Sequence, residues 1–297
     1  MAKVLVDGNY FVTRACYAPN IQHDFDPTSQ LLRNLWDFKD LGELIVVFDG
    51  RHPDFRLNLL PDYKKKPAKE MDEEEAEKAE HIRWLRKANR EAATELLGLA
   101  GIVCLVHPDY EADDAIYRLA GHLSRGDEPV YAVTSDSDYF QMCKLGVLVH
   151  RPYHNETVDR VAFYRTYGFD VDYYPLFLSM TGTHNGVPGI HGIGPKKAAQ
   201  VIAELDSPDL EGLRKWCHNT NTKLSAAVRD GLKIVKRNMV LVDLDRVPLT
   251  EGEMAAMWLK ARDETRMDYR KFLIKAKELK VGNAAKWVPY LLGKKGK

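Results

Sequence analysis

The amino-acid sequence predicts an α/β fold built on a largely parallel central sheet. Short runs of β-branched and other apolar residues alternate with helical stretches, the pattern of parallel strands joined through crossover helices. The predicted strands are Lys3–Val6, Leu44–Phe48, Ile102–Val106, Val130–Thr134 and Val147–His150. A helix with one buried face is predicted over about Asp114–Leu123, where apolar residues recur at helical spacing. With 297 residues, 45% of them hydrophobic, the chain can form one large domain or a domain with an appended lobe.

Residues 62–95 interrupt this pattern with a dense mixture of charges of both signs. Taken alone, the segment is typical of a solvated helix stabilised by ion pairs between residues four apart. It is also compatible with a projecting helix that contacts a polyanion. The cations available for such contacts are Lys64, Lys65, Lys66, Lys69, Arg83 and Lys87. From Tyr164 onward the pattern is mainly helical, which predicts a sheet domain over 1–160, a helical lobe over 161–290 and a basic tail over 291–297.

The composition limits the classes of protein that fit. Lys and Arg total 43 and Asp and Glu total 43, so the formal net charge is zero, which does not exclude a nucleic-acid partner. The four cysteines show no CxxC spacing and are expected to be reduced thiols of a cytoplasmic protein. An early Asp7 argues against a signal peptide, and no apolar run approaches the roughly 20 residues that span a bilayer.

Acidic residues follow three of the predicted strands. Asp7, Asp49 and the pair Asp136 and Asp138 each stand where a strand ends, and ligands of parallel sheets gather at that edge. Glu111, Asp113 and Asp114 begin the helix after a further strand. Any one of these acids, taken singly, is better explained as a helix cap or a favourable partner of a helix dipole. Seven carboxylates at one edge would repel one another without cations, which favours Mg²⁺ or Mn²⁺ and phosphoryl chemistry.

The glycine-rich stretch at 186–198 is the most specific local signal. A P-loop is excluded because Pro195 stands where lysine is needed, and a dinucleotide fingerprint lacks a preceding strand. A helix–hairpin–helix fits better, with Gly192 and Gly194 in the hairpin and Lys196 and Lys197 beside a helix start that binds a DNA phosphate. A tight turn between helices with no ligand is the alternative.

Taken in chain order, these motifs resemble the 5′→3′ exonuclease/flap endonuclease family and are most similar to stand-alone 5′ nucleases of bacteriophages. The resemblance covers roughly residues 3–245. Its motifs are LVDGN with Asp7, VVFDGR with Asp49, FRLNLLPDYKKK with Arg56, Tyr63 and Lys64, YEADD with Glu111, Asp113 and Asp114, TSDSD with Asp136 and Asp138, VPGIHGIGPKKA, and RNMVLVDL at Arg237–Leu244.

The resemblance implies a PIN-like catalytic sheet, a helical arch at about 62–95, and a helical lobe whose helix–hairpin–helix lies at about 186–200. It implies a monomeric phosphodiesterase that uses one or two Mg²⁺ (or Mn²⁺) ions on 5′ flaps, 5′ ends or branched DNA. Lys64 would steer the scissile phosphate, helped by Arg56 or Arg51, while Tyr63 would stack on a base. In this interpretation the charged segment contacts DNA through Lys65, Lys66, Arg83 and Lys87. The backbone at Gly189, Gly192 and Gly194 would hold a K⁺ ion.

One departure from the family pattern concerns the second metal site. The family reads Gly-Asp-x-x-Asp-Asn-Ile-Pro-Gly before the hairpin, whereas this chain reads TGTHNGVPG at 181–189. Aligned without a gap, the two aspartates become Gly182 and Asn185; with one deletion the first becomes Thr183. Both carboxylates are therefore absent, and Asp136 and Asp138 remain.

Two other functions compete with catalysis on DNA. A non-catalytic, structure-specific DNA-binding protein could keep this fold after losing the second metal site, although seven retained acids without metal would repel DNA. A phosphatase of the haloacid-dehalogenase type also places aspartate at strand ends, but it needs an acid two residues after Asp7, where this chain has Asn9.

Overall fold

One six-stranded sheet organises the N-terminal half of the molecule. In the computed structural model, residues 1–19, 21–64, 72–183, 186–282 and 284–287 are described. The strands are β1 (Lys3–Asp7), β2 (Glu43–Phe48), β3 (Val103–Val106), β4 (Val130–Val133), β5 (Leu148–Arg151) and β6 (Glu156–Val158). Their order across the sheet is β3-β2-β1-β4-β5-β6, and every neighbouring pair is parallel except β5 and β6. The predicted α/β class with a largely parallel sheet is confirmed.

All five predicted strands are present, with ends displaced by about one residue. The sixth strand, β6, was not predicted, because its three residues are too few for a period-two pattern and only Val158 is buried. It pairs antiparallel with β5 at the edge of the sheet. The strand order reverses between β1 and β4, which places a crevice at the carboxyl ends of these central strands.

Helices cover both faces of the sheet. In the N-terminal half they are α1 (Gly8–Cys16), α2 (Asp26–Phe38), α3 (Asp54–Leu59), α4 (Glu73–Leu99), α5 (Ala112–Leu123) and α6 (Arg160–Tyr167). Successive residues of β1 point to opposite faces, so Val4 and Val6 pack with α1, α2 and α4, whereas Leu5 packs with α5. The central strands are thus buried on both sides, which explains their continuous apolar sequence.

Helix α4 contains most of the segment that the resemblance assigns to an arch. Asp72 caps it by accepting a hydrogen bond from the Glu75 amide at 2.8 Å. Its N-terminal half is largely exposed, while Leu85, Leu96 and Leu97 anchor the remainder against the sheet. Lys65, Lys66 and Lys69 lie outside the described residues.

The C-terminal half is helical, as predicted. It contains α7 (Tyr174–Thr181), α8 (Pro195–Ala203), α9 (Leu210–Asn219), α10 (Lys223–Asp230), α11 (Leu232–Val242), α12 (Glu251–Glu264) and α13 (Tyr269–Glu278). Short 3₁₀ segments lie at Ser137–Leu145, Pro152–His154, Val171–Tyr173, Leu244–Arg246 and Ala284–Trp287. One apolar core runs from the sheet into these helices, so the domain boundary near residue 160 stays a prediction. Of the helices in the described residues, none is long and apolar enough to cross a membrane.

The glycine-rich stretch forms the connection between α7 and α8. Gly192 adopts a φ of +75°, and the Ile193 amide donates to the Ile190 carbonyl at 3.0 Å, which closes a tight turn. Gly194 then precedes α8, whose first residue is Pro195. The buried Asn238 amide donates to the Pro188 carbonyl at 2.9 Å and ties the turn to α11. The predicted turn and helix start are present, and DNA binding by them stays a prediction.

Candidate metal centre and nucleic-acid interface

The predicted acids lie at the carboxyl edge of the central strands. Asp7 ends β1, Asp49 follows β2 on one side of it, and Asp136 follows β4 on the other. Helix α5 begins at the same edge, and three further acids lie at its start. Five of the seven predicted acids line a single cleft of about 1120 Å³: Asp7, Asp49, Glu111, Asp113 and Asp136.

Three carboxylates are especially close together. The ligand oxygens of Glu111, Asp113 and Asp114 lie within 4.8 Å of one another. Asp138 lines a smaller pocket of about 20 Å³ next to the cleft, together with Asp113 and Lys64. The seven acids therefore occupy one neighbourhood, but they differ in how much of each carboxylate is free to bind a ligand.

Two of the acids are already occupied by protein donors. Asp114 is fully buried and accepts from both terminal nitrogens of Arg56, at 2.6 and 2.8 Å. Glu111 accepts from Arg56 at 2.7 Å, from Tyr63 at 3.0 Å and from Lys64 at 2.8 Å, and it contacts the His52 ring at 2.7 Å. These contacts fix the start of α5, from which Glu111 and Asp113 both line the cleft.

Hydrogen bonds also orient the acids at the strand ends. Asp7 accepts from the Tyr10 amide at 2.9 Å and the Tyr139 hydroxyl at 3.1 Å. Asp49 accepts from the Ala112 amide at 2.8 Å and from the Asn9 side chain. Hydrogen bonds thus hold both carboxylates in place, and both residues line the same cleft.

Burial and like charges disfavour ionisation of several of these acids. Burial raises the pKa of Asp7 to about 7, and the charges of Asp49 and Asp136 act in the same direction. Burial and the charge of Asp136 likewise raise the pKa of Asp138 to about 7. The pKa of Asp113 is well above its usual value because the residue is buried beside Asp114. A divalent cation would reverse this effect by favouring the ionised forms.

The pKa of Glu111 is shifted in the opposite direction. Burial by itself would raise its pKa, but the hydrogen bond with His52 and the charges of Lys64 and Arg56 lower it to about 2. The pKa of Lys64 is held well above its usual value, against the effect of burial, by Asp113 and Glu111. Lys64 also adopts a φ of 54°, a left-handed conformation uncommon for a residue with a side chain.

The structure changes the role of two residues that the resemblance made catalytic. Arg56 is 1% exposed, and its guanidinium donates to Asp114, Glu111 and the Leu241 carbonyl, so it positions acids; it lines the small pocket beside the cleft and not the cleft itself. Tyr63 is 5% exposed and donates to Glu111, so its ring is not available to stack on a base. Arg51 is exposed and paired with Asp54 and Asp109.

A basic groove continues from the cleft along α4. Arg83 and Lys87, both predicted, line a groove of about 490 Å³ with Arg86 and Arg90, and Arg86 also lines the acidic cleft. Among the described residues, none of these four cations has an ion-pair partner within 4.0 Å. Arg86 and Arg90 were missed, although their spacing from Arg83 by three and seven residues puts them on one helical face.

The predicted cations of the hairpin are exposed at its surface. Lys196 and Lys197 lie in the first turn of α8, and the Lys197 ammonium donates to the Gly192 carbonyl at 2.7 Å. The Gly194 carbonyl accepts from the Ala198 amide at 3.0 Å. Two of the three carbonyls assigned to K⁺ thus already accept one hydrogen bond each.

The backbone conformation explains why one of the two family aspartates is absent. Gly182 has a φ of +79°, and a Cβ there would lie 2.5 Å from the Val187 carbonyl oxygen, so an aspartate does not fit this backbone. Thr183 follows and lines the small pocket that contains Asp138 and Asp113. Asn185 and His184 lie outside the described residues.

The fold and this acidic centre define a class of α/β protein that has a carboxylate site where the strand order of the sheet reverses and a basic helix beside that site. Residues 2–168, more than half of the chain, match the family model described as "5′-3′ exonuclease, N-terminal resolvase-like domain". The chain belongs to the 5′-3′ exonuclease family.

Similar proteins agree with this assignment. A 5′-3′ exonuclease of Aquifex aeolicus is 29% identical over 260 residues, 84% of this chain and 85% of that protein. DNA polymerase I of Mycobacterium tuberculosis is 30% identical over 272 residues, which cover 84% of this chain but 28% of the polymerase. The flap endonuclease Xni of Psychromonas ingrahamii is 24% identical over 76% of this chain and 85% of its own length.

Solved structures share the fold. The 5′-exonuclease of bacteriophage T5 with bound zinc superposes with a TM-score of 0.74 at 17% identity, covering 90% of this chain and 100% of that one. The flap endonuclease of the same bacteriophage, in a pseudo-enzyme-product complex with DNA and metal ions, has a TM-score of 0.72 at 20% identity, covering 89% and 100%.

Proposed function

We propose that this chain is a metal-dependent, structure-specific 5′ nuclease that hydrolyses phosphodiester bonds in DNA near 5′ ends, flaps or junctions. The observation that supports it is the meeting of acids from β1, β2, β4 and α5 in one cleft, with the basic face of α4 as its continuation. Family membership sets the same expectation for the reaction.

The donor set fits a hard divalent cation. All the candidate ligands are carboxylates, and no histidine or cysteine belongs to the closest acidic group of the described residues, so Mg²⁺ or Mn²⁺ is favoured over zinc. The acids that would hold a first ion are Asp7, Asp49 and Asp113, with Glu111 and Asp114 fixing their surroundings. A second ion would depend on Asp136 and Asp138. Such ions supply an activated water and neutralise charge on the phosphate.

The chain's own cations prepare the site for a phosphate. Arg56 holds Glu111 and Asp114 in place, so the first turn of α5 keeps its geometry when substrate arrives. Lys64 lines the cleft with its ammonium 2.8 Å from Glu111, close enough to move onto a phosphate oxygen and stabilise its developing charge.

DNA would be held at two places. The cations Arg83, Arg86, Lys87 and Arg90 would follow the phosphates of a single strand along α4, with Lys65 and Lys66 beyond the described residues. Gly192, Gly194, Lys196 and Lys197 would hold a duplex phosphate at the start of α8. A K⁺ ion at the Gly189, Gly192 and Gly194 carbonyls belongs to this proposal, as does a monomeric state.

A cleavage assay tests the proposal. A duplex with a fluorescent 5′ flap is incubated with the protein and Mg²⁺, Mn²⁺ or EDTA, and the products are sized on a denaturing gel. We expect metal-dependent release of short 5′ fragments and no cleavage in EDTA. Tight flap binding with no cleavage under any metal would favour the non-catalytic alternative, and hydrolysis of a small phosphate ester but not DNA would favour a phosphatase.

A further inference from the structure

The Glu111 carboxylate has two hydrogen-bond partners on each of its oxygens. Oε2 accepts from Arg56 at 2.7 Å and from the Tyr63 hydroxyl at 3.0 Å. Oε1 accepts from the Lys64 ammonium at 2.8 Å, and Nδ1 of the His52 ring lies 2.7 Å from the same oxygen. The Glu111 side chain is only 3% exposed, so these protein groups take the place of water. The proposed function uses Lys64 but gives no role to His52.

The His52 ring donates to Glu111 through Nδ1. Although burial opposes it, the surrounding donors lower the pKa of Glu111 to about 2, so the carboxylate is ionised and can only accept. Nδ1 therefore carries the hydrogen of this bond, whether the ring is neutral or positively charged. The ring also packs edge-on against Tyr63, with ring centres 5.8 Å apart, and the following Pro53 restricts the His52 backbone. His52 is thus a donor with a fixed position.

Lys64 is the donor of this group that can move. Its ammonium lies at the end of a flexible four-carbon stem, and the residue lines both the cleft and the small pocket beside it. If it moves onto a phosphate oxygen, Oε1 of Glu111 keeps only the hydrogen bond from His52. Without that bond Oε1 would have no donor, which is unfavourable for a buried charged group. Arg56 and Tyr63 do not replace it, because both donate to Oε2.

We propose that His52 is a positioning residue that holds Oε1 of Glu111 and so allows Lys64 to leave Glu111 for the scissile phosphate. The inference rests on the proposed function, since it assumes cleavage of a phosphodiester. The His52 bond matters most while Lys64 is away from Glu111, which is the state in which the phosphate reacts. Loss of this bond should therefore slow cleavage more than it weakens DNA binding.

Replacing His52 by phenylalanine, in the wild type and in Lys64→Ala, separates this role from a structural one. His52→Phe keeps a ring beside Tyr63 and removes the donor. Cleavage of a 5′-flap duplex is followed under single-turnover conditions with saturating protein and Mg²⁺. We expect His52→Phe to slow the wild type roughly tenfold but Lys64→Ala less than about twofold, because Oε1 of the double variant lacks a donor both before and during the reaction. Flap binding in EDTA should stay near the value of each parent protein.

The stability of the same proteins gives a readout that does not depend on cleavage. In His52→Phe without DNA, Lys64 still donates to Oε1, whereas the double variant has no donor there. The denaturant midpoint should therefore fall further when His52→Phe is made in Lys64→Ala than in the wild type. His107→Phe is the matched control, since the His107 ring also meets a tyrosine edge-on, with its centre 4.8 Å from that of Tyr110, but does not line the cleft. It should cleave at the wild-type rate.

Two polar substitutions identify the ring atom that acts. His52→Asn places its amide nitrogen near the position of Nδ1 and should restore cleavage, whereas His52→Gln reaches the position of Nε2 and should not. Recovery in His52→Gln but not in His52→Asn would overturn the proposal in favour of a direct contact between Nε2 and the substrate. A wild-type rate in His52→Phe, or an equal slowing in both backgrounds, would also overturn it and leave the nuclease intact. Absence of cleavage by the wild-type protein in both Mg²⁺ and Mn²⁺ would overturn the proposed function and this inference together.

Discussion

The Arg56 guanidinium donates to both carboxylate oxygens of Asp114, at 2.6 and 2.8 Å, with both side chains buried. Its third nitrogen donates to the Leu241 carbonyl at 3.1 Å. One side chain thereby connects α3, the acidic start of α5 and the end of α11. Residues from both halves of the chain meet at this ion pair, so the geometry of the candidate metal centre depends on it.

Replacing Arg56 with alanine should destabilise the whole fold. Asp114 would be left as a buried carboxylate without its partner, and breaking a buried pair in this way costs about 3–5 kcal/mol. Denaturant titration measures the free energy of unfolding. Arg51→Ala is the control, since Arg51 pairs only at the surface with Asp54 and Asp109, and it should cost less than about 1 kcal/mol. Equal losses in the two variants would contradict the positioning role of Arg56.

Asp113 and Asp114 should respond differently to substitution by asparagine. Asp113 faces the cleft, so Asp113→Asn should reduce cleavage by more than about a hundredfold while stability and flap binding in EDTA stay near the wild-type values. Asp114→Asn removes the charge paired with Arg56, so stability should fall together with activity. Gel-based cleavage assays measure the activity of each variant, and denaturation of the same preparations measures its stability. Full activity in Asp113→Asn would rule out the metal assignment.

Without metal, stability should fall as the pH rises toward neutrality. The pKa values of Asp7 and Asp138 rise from 3.8 to about 7 on folding, so the folded protein binds more protons than the unfolded chain within this range. Their contribution to stability is present below pH 3.8 and is lost as the pH passes through about 7. Glu111, with a pKa lowered to about 2, contributes throughout the range above 4.5 and does not alter this trend.

The corresponding measurement is thermal unfolding in EDTA and in Mg²⁺ at several pH values. The melting temperature in EDTA should decline as the pH rises toward neutrality. The increase in melting temperature that Mg²⁺ produces should become larger over the same pH range, because metal favours the ionised acids. Asp7→Asn should make the melting temperature in EDTA less dependent on pH. A gain from Mg²⁺ that is independent of pH would be inconsistent with binding at these acids.

Thr183→Asp should strengthen a second metal site. Thr183 lines the small pocket with Asp138 and Asp113, whereas the backbone at Gly182 leaves no room for a side chain. A third carboxylate there should lower the Mg²⁺ concentration for half-maximal cleavage by roughly tenfold. Gly182→Asp is the informative comparison, since it should impair folding and not improve metal use. An unchanged metal requirement in Thr183→Asp would mean that this pocket does not hold the second ion.

Features that repeat along the chain could be predicted from sequence, whereas features that depend on long-range partners could not. The strand ends at Asp7 and Asp49 follow from apolar runs that stop at an acid, and parallel topology then brings these acids together. The buried position of Arg56 could not be seen, because its partners lie 58 and 185 residues away along the chain.

Binding of a divalent cation by the acids of the cleft is tested most directly by a crystal structure with Mn²⁺, which anomalous scattering locates. We expect an anomalous peak coordinated by Asp7, Asp49 and Asp113, with a second, weaker peak beside Asp136 and Asp138. A structure in which these carboxylates hold no Mn²⁺ at concentrations that support cleavage would contradict it.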